Sequence, residues 1–212
     1  MANIGRREIR AAHGKKTTPR AAARREQILK AATHVFAREN YHGATTAKIA
    51  AAAGITEPVI YTYFANKRDL FLEVLRKSRA DIFTWNEEVL REHDDPIQRY
   101  KVYTDKYKHY VTKVNRDSAM MWAVAASVND PEIKAEIRES DEEVLNQLTN
   151  DIRRTMEEGK ITSRHAPQVL ARIIHGVNSH LAWLILVGET HTQDWIYEGF
   201  KILIEDLVKK EV

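Results

Sequence analysis

The sequence predicts an all-α protein of nine helices, arranged as a small N-terminal head and a larger C-terminal body. Apolar residues recur three and four positions apart along almost all of the 212-residue chain, as they do on one face of an α-helix. The strict alternation of a β-strand is not found, and Gly, Pro, Asn and Asp turn signals separate the periodic stretches. A content of 43% hydrophobic and 30% charged residues is typical of a soluble globular protein.

The first 66 residues are expected to form a flexible arm and a three-helix head. The arm covers residues 1–19 and ends at Pro19, and the head domain covers residues 20–66. Gly43 is expected to end the first helix, because glycine readily adopts the left-handed conformation of a helix C-cap. The predicted helices of the head lie at about 21–40, 46–53 and 57–63.

Residues 67–212 are predicted to form the helical body. Asn66 and Asp69 resemble a capping box at the start of a long helix that joins the head to the body. This helix is expected to end near His93, because residues 94–96 (Asp-Asp-Pro) are a turn signal. The other helices of the body are expected at about 97–114, 117–128, 132–158, 166–187 and 193–210.

Positive charge is concentrated at the N-terminus. Residues 1–30 hold nine Lys or Arg and two Glu, a net charge of +7, whereas the remaining chain has a net charge of −4. Lys and Arg release condensed counterions when they meet phosphates, so this distribution favours the binding of a polyanion by the head. A solvated, disordered tail of the same composition is the alternative.

Composition excludes disulfides, thiolate metal sites and thiol nucleophiles, because the chain has no cysteine. The longest apolar stretch, Leu181 to Val187, is far shorter than the roughly 18 residues that span a bilayer. The N-terminus also has no apolar signal segment. We therefore expect a cytoplasmic protein with no membrane contact.

An enzyme is the chief alternative to a binding protein, because a helical bundle of this size can hold a di-iron centre. Such a centre needs two Glu-x-x-His motifs, and the chain offers only Glu39 with His42. His175 and His180 are five residues apart, a poor spacing for one helix face, and no His-Glu-x-x-His or Gly-rich phosphate loop occurs. We expect no catalytic residues, no metal site and no cofactor.

Residues 45–64 carry the spacing of a helix-turn-helix. Ala50 is small where two helices would cross, Gly54 can adopt a positive φ just past the first helix, and Ile60 fills the core beneath the turn. The second helix, with Thr56 as its N-cap, would then be free to enter a DNA major groove. The spacing alone is also that of a plain helical corner in an all-α protein.

The residues that follow resemble the signature of the TetR family of regulators. Residues 60–64 (Ile-Tyr-Thr-Tyr-Phe) and 66–70 (Asn-Lys-Arg-Asp-Leu) are similar to the end of that family's recognition helix and the start of its next helix. The resemblance covers about residues 20–75 and implies a nine-helix, two-domain TetR-like fold, with a DNA-binding head and a ligand-binding, dimerising body. It further implies a homodimeric repressor that a small-molecule effector releases from a palindromic double-stranded DNA operator.

The resemblance also implies roles for individual residues at the DNA. Thr46 and Lys48 match positions that contact the DNA backbone, where a hydroxyl, a cation and a helix N-terminus all favour a phosphate. The base-facing positions are matched by Glu57, Pro58, Val59 and Thr62, and the phosphate-contacting tyrosine, histidine and lysine by Tyr61, Tyr63 and Lys67. With the N-cap Thr56, these residues form the expected DNA-binding set.

Some positions depart from the family pattern. Tyr63 replaces the common histidine, although its hydroxyl can still donate to a phosphate. Glu57 carries a charge that is unfavourable near DNA unless it accepts from a cytosine N4 amine, and Ala47 stands where a longer reader is common. We expect the basic arm to extend the footprint into a minor groove through Arg6, Arg7 and Arg10.

Aromatic residues of the body predict a cavity for the effector. Four tyrosines spaced by 3, 4 and 3 share one helix face: Tyr100, Tyr103, Tyr107 and Tyr110. The expected lining is Trp85, Tyr103, Tyr107, Tyr110, Met121, Trp122, His175 and Trp183. Such residues suit a hydrophobic or aromatic effector, although much of the stripe is also consistent with core or interface packing.

The last two helices are the expected homodimer surface. One apolar stripe consists of Ile173, Val177, Leu181 and Leu184, with Gly176 and Ala182 for close approach, and a second of Trp195, Phe200, Leu203 and Leu207. A symmetric dimer supplies the two-fold geometry that a palindromic operator requires. The alternatives are a subunit that buries these residues in its own core, and a helical adaptor that binds only protein and shows no salt-sensitive DNA binding.

Overall fold

The computed structural model describes residues 18–111 and 116–188, together with positions 195, 198, 199 and 202. These residues form eight helices: α1 (Pro19–Gly43), α2 (Thr46–Ala52), α3 (Glu57–Ile60), α4 (Lys67–Leu90), α5 (Pro96–His109), α6 (Arg116–Ala126), α7 (Pro131–Glu157) and α8 (Pro167–Leu186). The prediction of an all-α fold is confirmed. The basic arm and most of the predicted ninth helix lie outside the described residues. Within the described part of the chain, none of the helices has the length and apolar character of a membrane span.

The ends of α1 differ from the prediction for a local reason. The helix starts at Pro19 because the Thr18 hydroxyl accepts a first-turn N–H at 3.3 Å and Pro19 has no N–H to satisfy. The expected left-handed C-cap at Gly43 is wrong, because the positive φ falls on Asn40 instead, with φ 56° and ψ 179°. The Asn40 side-chain oxygen accepts the N–H groups of His42 and Gly43 at 2.9 and 3.0 Å. Asn is among the residues found at positive φ, and here its short polar side chain bonds locally.

The helices around the turn are close to those predicted. Asn66 accepts the N–H of Asp69 at 2.9 Å at the start of α4, as expected of a capping residue. Thr56 occupies the N-cap position of α3, but its side chain makes no capping hydrogen bond. The helix α3 is shorter than predicted because the chain tightens after Ile60, whose carbonyl accepts the N–H of Tyr63 at 3.0 Å.

One hydrophobic core is shared by the head and the body. Phe36 of α1, Ile60 of α3 and Phe71 of α4 are fully buried in it, and the rings of Phe36 and Phe71 meet edge to face at 4.9 Å. Met121 of α6 is fully buried in the same cluster. Because α6 contributes to the core of the head, a shift of α6 must repack residues beneath the helix-turn-helix.

A second core joins α5, α7 and α8, and it contains a buried ion pair. The Arg99 guanidinium donates to both carboxylate oxygens of Asp151 at 2.8 and 2.9 Å, and the Tyr100 hydroxyl donates to the same carboxylate at 2.8 Å. Burial, and then the Asp151 charge, raise the pKa of Tyr100 well above its ordinary value. This cluster fixes α5 against α7.

Ion pairs also connect α4 to the first half of α7. Three arginines of α4, namely Arg68, Arg76 and Arg79, face acidic residues of α7 or its N-cap: Asp130, Glu132, Glu136, Glu139 and Glu143. Arg68 donates to Asp130 in a bidentate arrangement at 2.7 and 3.0 Å. The long helix that leaves the head is therefore held to the body by charge as well as by packing.

Candidate nucleic-acid interface and body cavity

The turn between α2 and α3 has the geometry that the spacing predicted. Gly54 adopts φ 62°, and Ala50 is buried where the helices cross. A Cβ at Gly54 would meet no atom within 4 Å, so a larger residue has room there. Glycine is favoured at this position because of its positive φ. The N–H of Ile55 donates to the Ala50 carbonyl at 3.0 Å and closes the turn.

The expected DNA-binding residues lie on α2, on α3 and in the turn that leads to α4. The exposed members are Lys48, Thr56, Pro58, Tyr61 and Thr62, and those of intermediate burial are Glu57, Val59, Tyr63 and Lys67. Thr46 is buried, and its side chain contacts two other members of the set, Glu57 and Tyr61. Its hydroxyl donates to the Glu57 carboxylate and lies 3.0 Å from the Tyr61 hydroxyl.

The two lysines of this set have partners within the head. Lys48 forms an ion pair with Glu39. Lys67 donates to the carbonyls of Tyr41 and Ala44 at 2.9 and 3.2 Å, and its ammonium lies 4.6 Å from the centre of the Tyr41 ring. Lys67 therefore joins the end of α1 to the start of α4, a contact that the sequence pattern did not indicate. Burial, with the charge of Asp130, raises the pKa of Tyr41.

A cavity of about 300 Å³ lies in the body between α6, α7 and α8. Four of the eight expected ligand-binding residues line it: Tyr107, Trp122, His175 and Trp183. The remaining walls are Ile82, Ala119, Ala123, Ile137, Ser140, Asp141, Val144, Ser179 and Ala182. Burial, followed by the neighbouring Tyr110, raises the pKa of Tyr107 to about 12, so this phenol is neutral at ordinary pH.

The other four expected residues lie elsewhere in the core. Trp85 packs against the rings of Tyr103 and Tyr110, with ring centres 5.5 and 4.8 Å away. Tyr103 is buried and donates to the Asn86 side chain at 2.9 Å. Met121 points from α6 into the core shared with the head.

The polar end of the cavity is a pair that the sequence did not reveal. His175 of α8 donates from Nε2 to the Asp141 carboxylate of α7 at 2.7 Å. Asp141 was missed because its position beside His175 depends on how α7 and α8 pack, and no local pattern encodes that pairing. The described residues contain no group of three His, Cys, Asp or Glu side chains arranged to hold a metal ion.

The family model for bacterial regulatory proteins of the tetR family matches residues 28–74, which run from α1 into α4. Over residues 28–74 the chain belongs to the TetR family. The match covers the helix-turn-helix and the residues that resembled the family signature. Members of the TetR family are transcriptional regulators rather than enzymes.

Two curated relatives extend the comparison. The transcriptional activator FasR of Mycolicibacterium smegmatis is 28% identical over 115 residues, which are 54% of this chain and 52% of that protein. The match therefore spans about half the length of FasR. A fatty acid metabolism regulator protein of Bacillus subtilis is 23% identical over 150 residues, which are 71% of this chain and 77% of that protein.

Two solved structures of transcriptional regulators share the fold. A TetR transcriptional regulator from Chloroflexus aurantiacus has a TM-score of 0.80 at 19% identity, over 92% of this chain and 100% of that one. The regulator FadR from Bacillus subtilis, in complex with stearoyl-CoA, has a TM-score of 0.72 at 20% identity, over 84% of this chain and 96% of that one. At these identities the likeness shows the fold alone.

Proposed function

We propose that this TetR-family protein is a homodimeric repressor that binds a palindromic DNA operator and leaves it when a small hydrophobic or aromatic effector enters the body cavity. The observation that carries the DNA-binding part is the helix-turn-helix, with Gly54 in the left-handed conformation and Pro58, Tyr61 and Thr62 exposed on and after α3. An α-helix fits the major groove, and its exposed side chains then reach base edges while flanking groups contact phosphates.

The proposed domains have the boundaries that the sequence predicts. We propose residues 20–66 as the DNA-binding domain, residues 67–212 as the ligand-binding and dimerisation domain, and residues 1–19 as an arm that adds phosphate or minor-groove contacts. The hydrophobic core crosses the boundary at residue 66, because α6 packs against α1. The two domains are therefore distinct in function but continuous in packing.

Exposed apolar side chains on α8 and beyond support a homodimer. Among the described residues, five of the six exposed large hydrophobic side chains lie between positions 169 and 202: Val169, Trp183, Val187, Trp195 and Ile202. Exposed apolar side chains that form one patch mark an interaction surface, and we infer that these side chains form such a patch. Leu181 and Leu184 of the expected stripe are buried within the subunit, so we place the dimer contact on the neighbouring face of α8, with Gly176, Trp183 and Val187.

The position of α6 supports a route from the cavity to the DNA. Ala119, Trp122 and Ala123 of α6 line the cavity, whereas Met121 of the same helix lies in the core shared with the head. An effector that displaces Trp122 moves α6, and the movement reaches α1 because close-packed side chains cannot absorb it. The stearoyl-CoA bound by the B. subtilis FadR makes apolar acyl compounds the first class of effector to test.

The experiment measures protein mass and DNA release together. The full chain is first used to select an operator from a random DNA library, and sedimentation then gives the mass of the free protein and of its complex. Acyl and aromatic compounds that raise the melting temperature are added to the complex, and fluorescence anisotropy follows the operator. We expect a dimer on two half-sites and release of the operator by at least one stabilising compound. A monomer on one half-site, or stabilising compounds that leave the operator bound, would contradict the proposal.

A matched pair of variants tests the site of the effector. Trp122→Ala removes a wall of the cavity, whereas Trp85→Ala removes an aromatic ring that does not line it. We expect Trp122→Ala to weaken the response to the effector more than Trp85→Ala does, with operator affinity retained in both variants. Equal loss of the response in the two variants would contradict the assignment of the cavity.

A further inference from the structure

Two hydroxyl groups orient the carboxylate of Glu57 at the start of α3. The Thr46 hydroxyl donates its one proton to Glu57 Oε1, because an ionised carboxylate can only accept. The 3.0 Å contact between the Thr46 and Tyr61 oxygens must then use the proton of Tyr61. The result is a relay from Tyr61 through Thr46 to Glu57.

The relay leaves one carboxylate oxygen available. Among the described residues, Glu57 Oε1 is bonded to Thr46, whereas Oε2 has no hydrogen-bond partner. Glu57 is partly exposed and precedes the exposed Pro58, so the free oxygen belongs to the surface that the proposed function places in the major groove. Thr46 is 8% exposed, and its side chain is therefore held in place by packing.

The chemistry of a carboxylate restricts which base it can contact. The major-groove edges of guanine and thymine offer acceptors, which repel an ionised carboxylate. Adenine offers an N6 amine beside its own N7 acceptor, whereas the edge of cytosine itself offers only the N4 amine as a polar group. A carboxylate held in one orientation is therefore matched best by cytosine.

We propose that Glu57 reads one cytosine in each half-site of the operator, and that Thr46 and Tyr61 are positioning residues for its carboxylate. The inference rests on the proposed function, since it needs the head to bind DNA. It changes the role that the family resemblance implied for Thr46 and Tyr61, because the Thr46 proton goes to Glu57 and the Tyr61 proton goes to Thr46, so neither is directed towards a phosphate.

The test measures base preference one position at a time. The operator selected by the full chain is made with each of the four base pairs at every position of the half-site, changed symmetrically, and dissociation constants are measured for each. We expect the wild-type protein to prefer a C·G pair at one position by about tenfold or more. Glu57→Gln, which is isosteric but uncharged, should lose most of that preference and keep the others. Glu26→Gln is the matched control, because Glu26 pairs with Lys77 on α4, away from α3.

Variants of the relay separate positioning from phosphate contact. Thr46→Val and Tyr61→Phe each remove a hydroxyl and keep the shape of the side chain, and Thr33→Val is the control, because the Thr33 hydroxyl bonds only within α1. We expect both relay variants to lower the preference for C·G several-fold at the same position as Glu57→Gln. Tyr61→Phe keeps the test valid if Thr46→Val fails to fold.

Two outcomes would overturn the inference. If Thr46→Val and Tyr61→Phe weakened binding equally for all four base pairs, the hydroxyls would be phosphate contacts and not positioning groups. If Glu57→Gln kept the wild-type preference at every position, the carboxylate would read no base. Both results leave sequence-specific DNA binding intact, whereas failure of the full chain to select any sequence would remove the proposed function and this inference together.

Discussion

Replacement of Met121 tests whether the head and the body share one core. Met121 is fully buried beside residues of the head, so Met121→Ala leaves a cavity at the junction. Truncation of a buried methionine to alanine costs about 2–5 kcal/mol of the unfolding free energy. At about 2–4 °C per kcal/mol for a protein of this size, the melting temperature should fall by about 4–20 °C. The neighbouring Met120 is only partly buried at the edge of the same cluster, so Met120→Ala should have a smaller effect.

The assay is thermal unfolding of the full chain, followed by circular dichroism and by tryptophan fluorescence. The Trp residues of the described chain lie in the body, so fluorescence follows the body while circular dichroism follows all helices. We expect one transition at the same temperature by both methods for Met121→Ala, because one core must melt as a unit. A melting temperature equal to that of Met120→Ala, or a head that melts separately in the wild-type protein, would refute the shared core.

Three further predictions concern stability. The Arg68 guanidinium, followed by the N–H groups at the start of α7, lowers the pKa of Asp130 to about 2. A lowered pKa gives stability that is present above about pH 4 and lost as pH falls towards 2. Asp130→Asn, which keeps a capping side chain, should therefore lose less stability than the wild type over this part of an acid titration. A loss of stability equal to that of the wild type would contradict the pairing. Asp151→Asn leaves the charge of Arg99 buried, and it should lower the unfolding free energy, measured by urea unfolding, by about 3–5 kcal/mol. The double change Arg99→Met with Asp151→Leu should recover much of this loss. An Asp151→Asn variant as stable as the wild type would refute this prediction. Gly54→Ala should cost about 1–2 kcal/mol, because φ 62° is strained for alanine, and no loss in the same assay would mean that the turn has another conformation.

Features encoded over short stretches of sequence were predictable. The helices follow from apolar spacing and turn residues, and their observed ends lie within a few residues of those expected, apart from the ninth helix, most of which lies outside the described residues. The helix-turn-helix was predictable because Ala50, Gly54 and Ile60 are each required by a local steric condition. Gly43 was misjudged because the positive φ lies at Asn40, whose side chain also accepts the nearby N–H groups.

Features that depend on packing between helices were not predictable. Tyr100, Tyr103 and Tyr107 share one face of α5, yet they meet Asp151, Asn86 and the cavity, respectively. Spacing reveals that residues share a face, but it does not reveal which neighbouring helix covers each of them. The same holds for Lys67, whose ammonium turns inwards to the carbonyls at the end of α1, and for the relay through Thr46 to Glu57.

The central claim is that the chain recognises a particular DNA sequence as a two-fold dimer. The most direct test is to select fragments of the source genome on the purified full chain at roughly 150 mM salt, a condition that suppresses non-specific phosphate binding, and to sequence what remains bound. We predict enrichment of one palindrome whose half-site centres are separated by about one helical turn, or a small multiple of it. Recovery of fragments with no common sequence, both with and without compounds that stabilise the protein, would contradict the account.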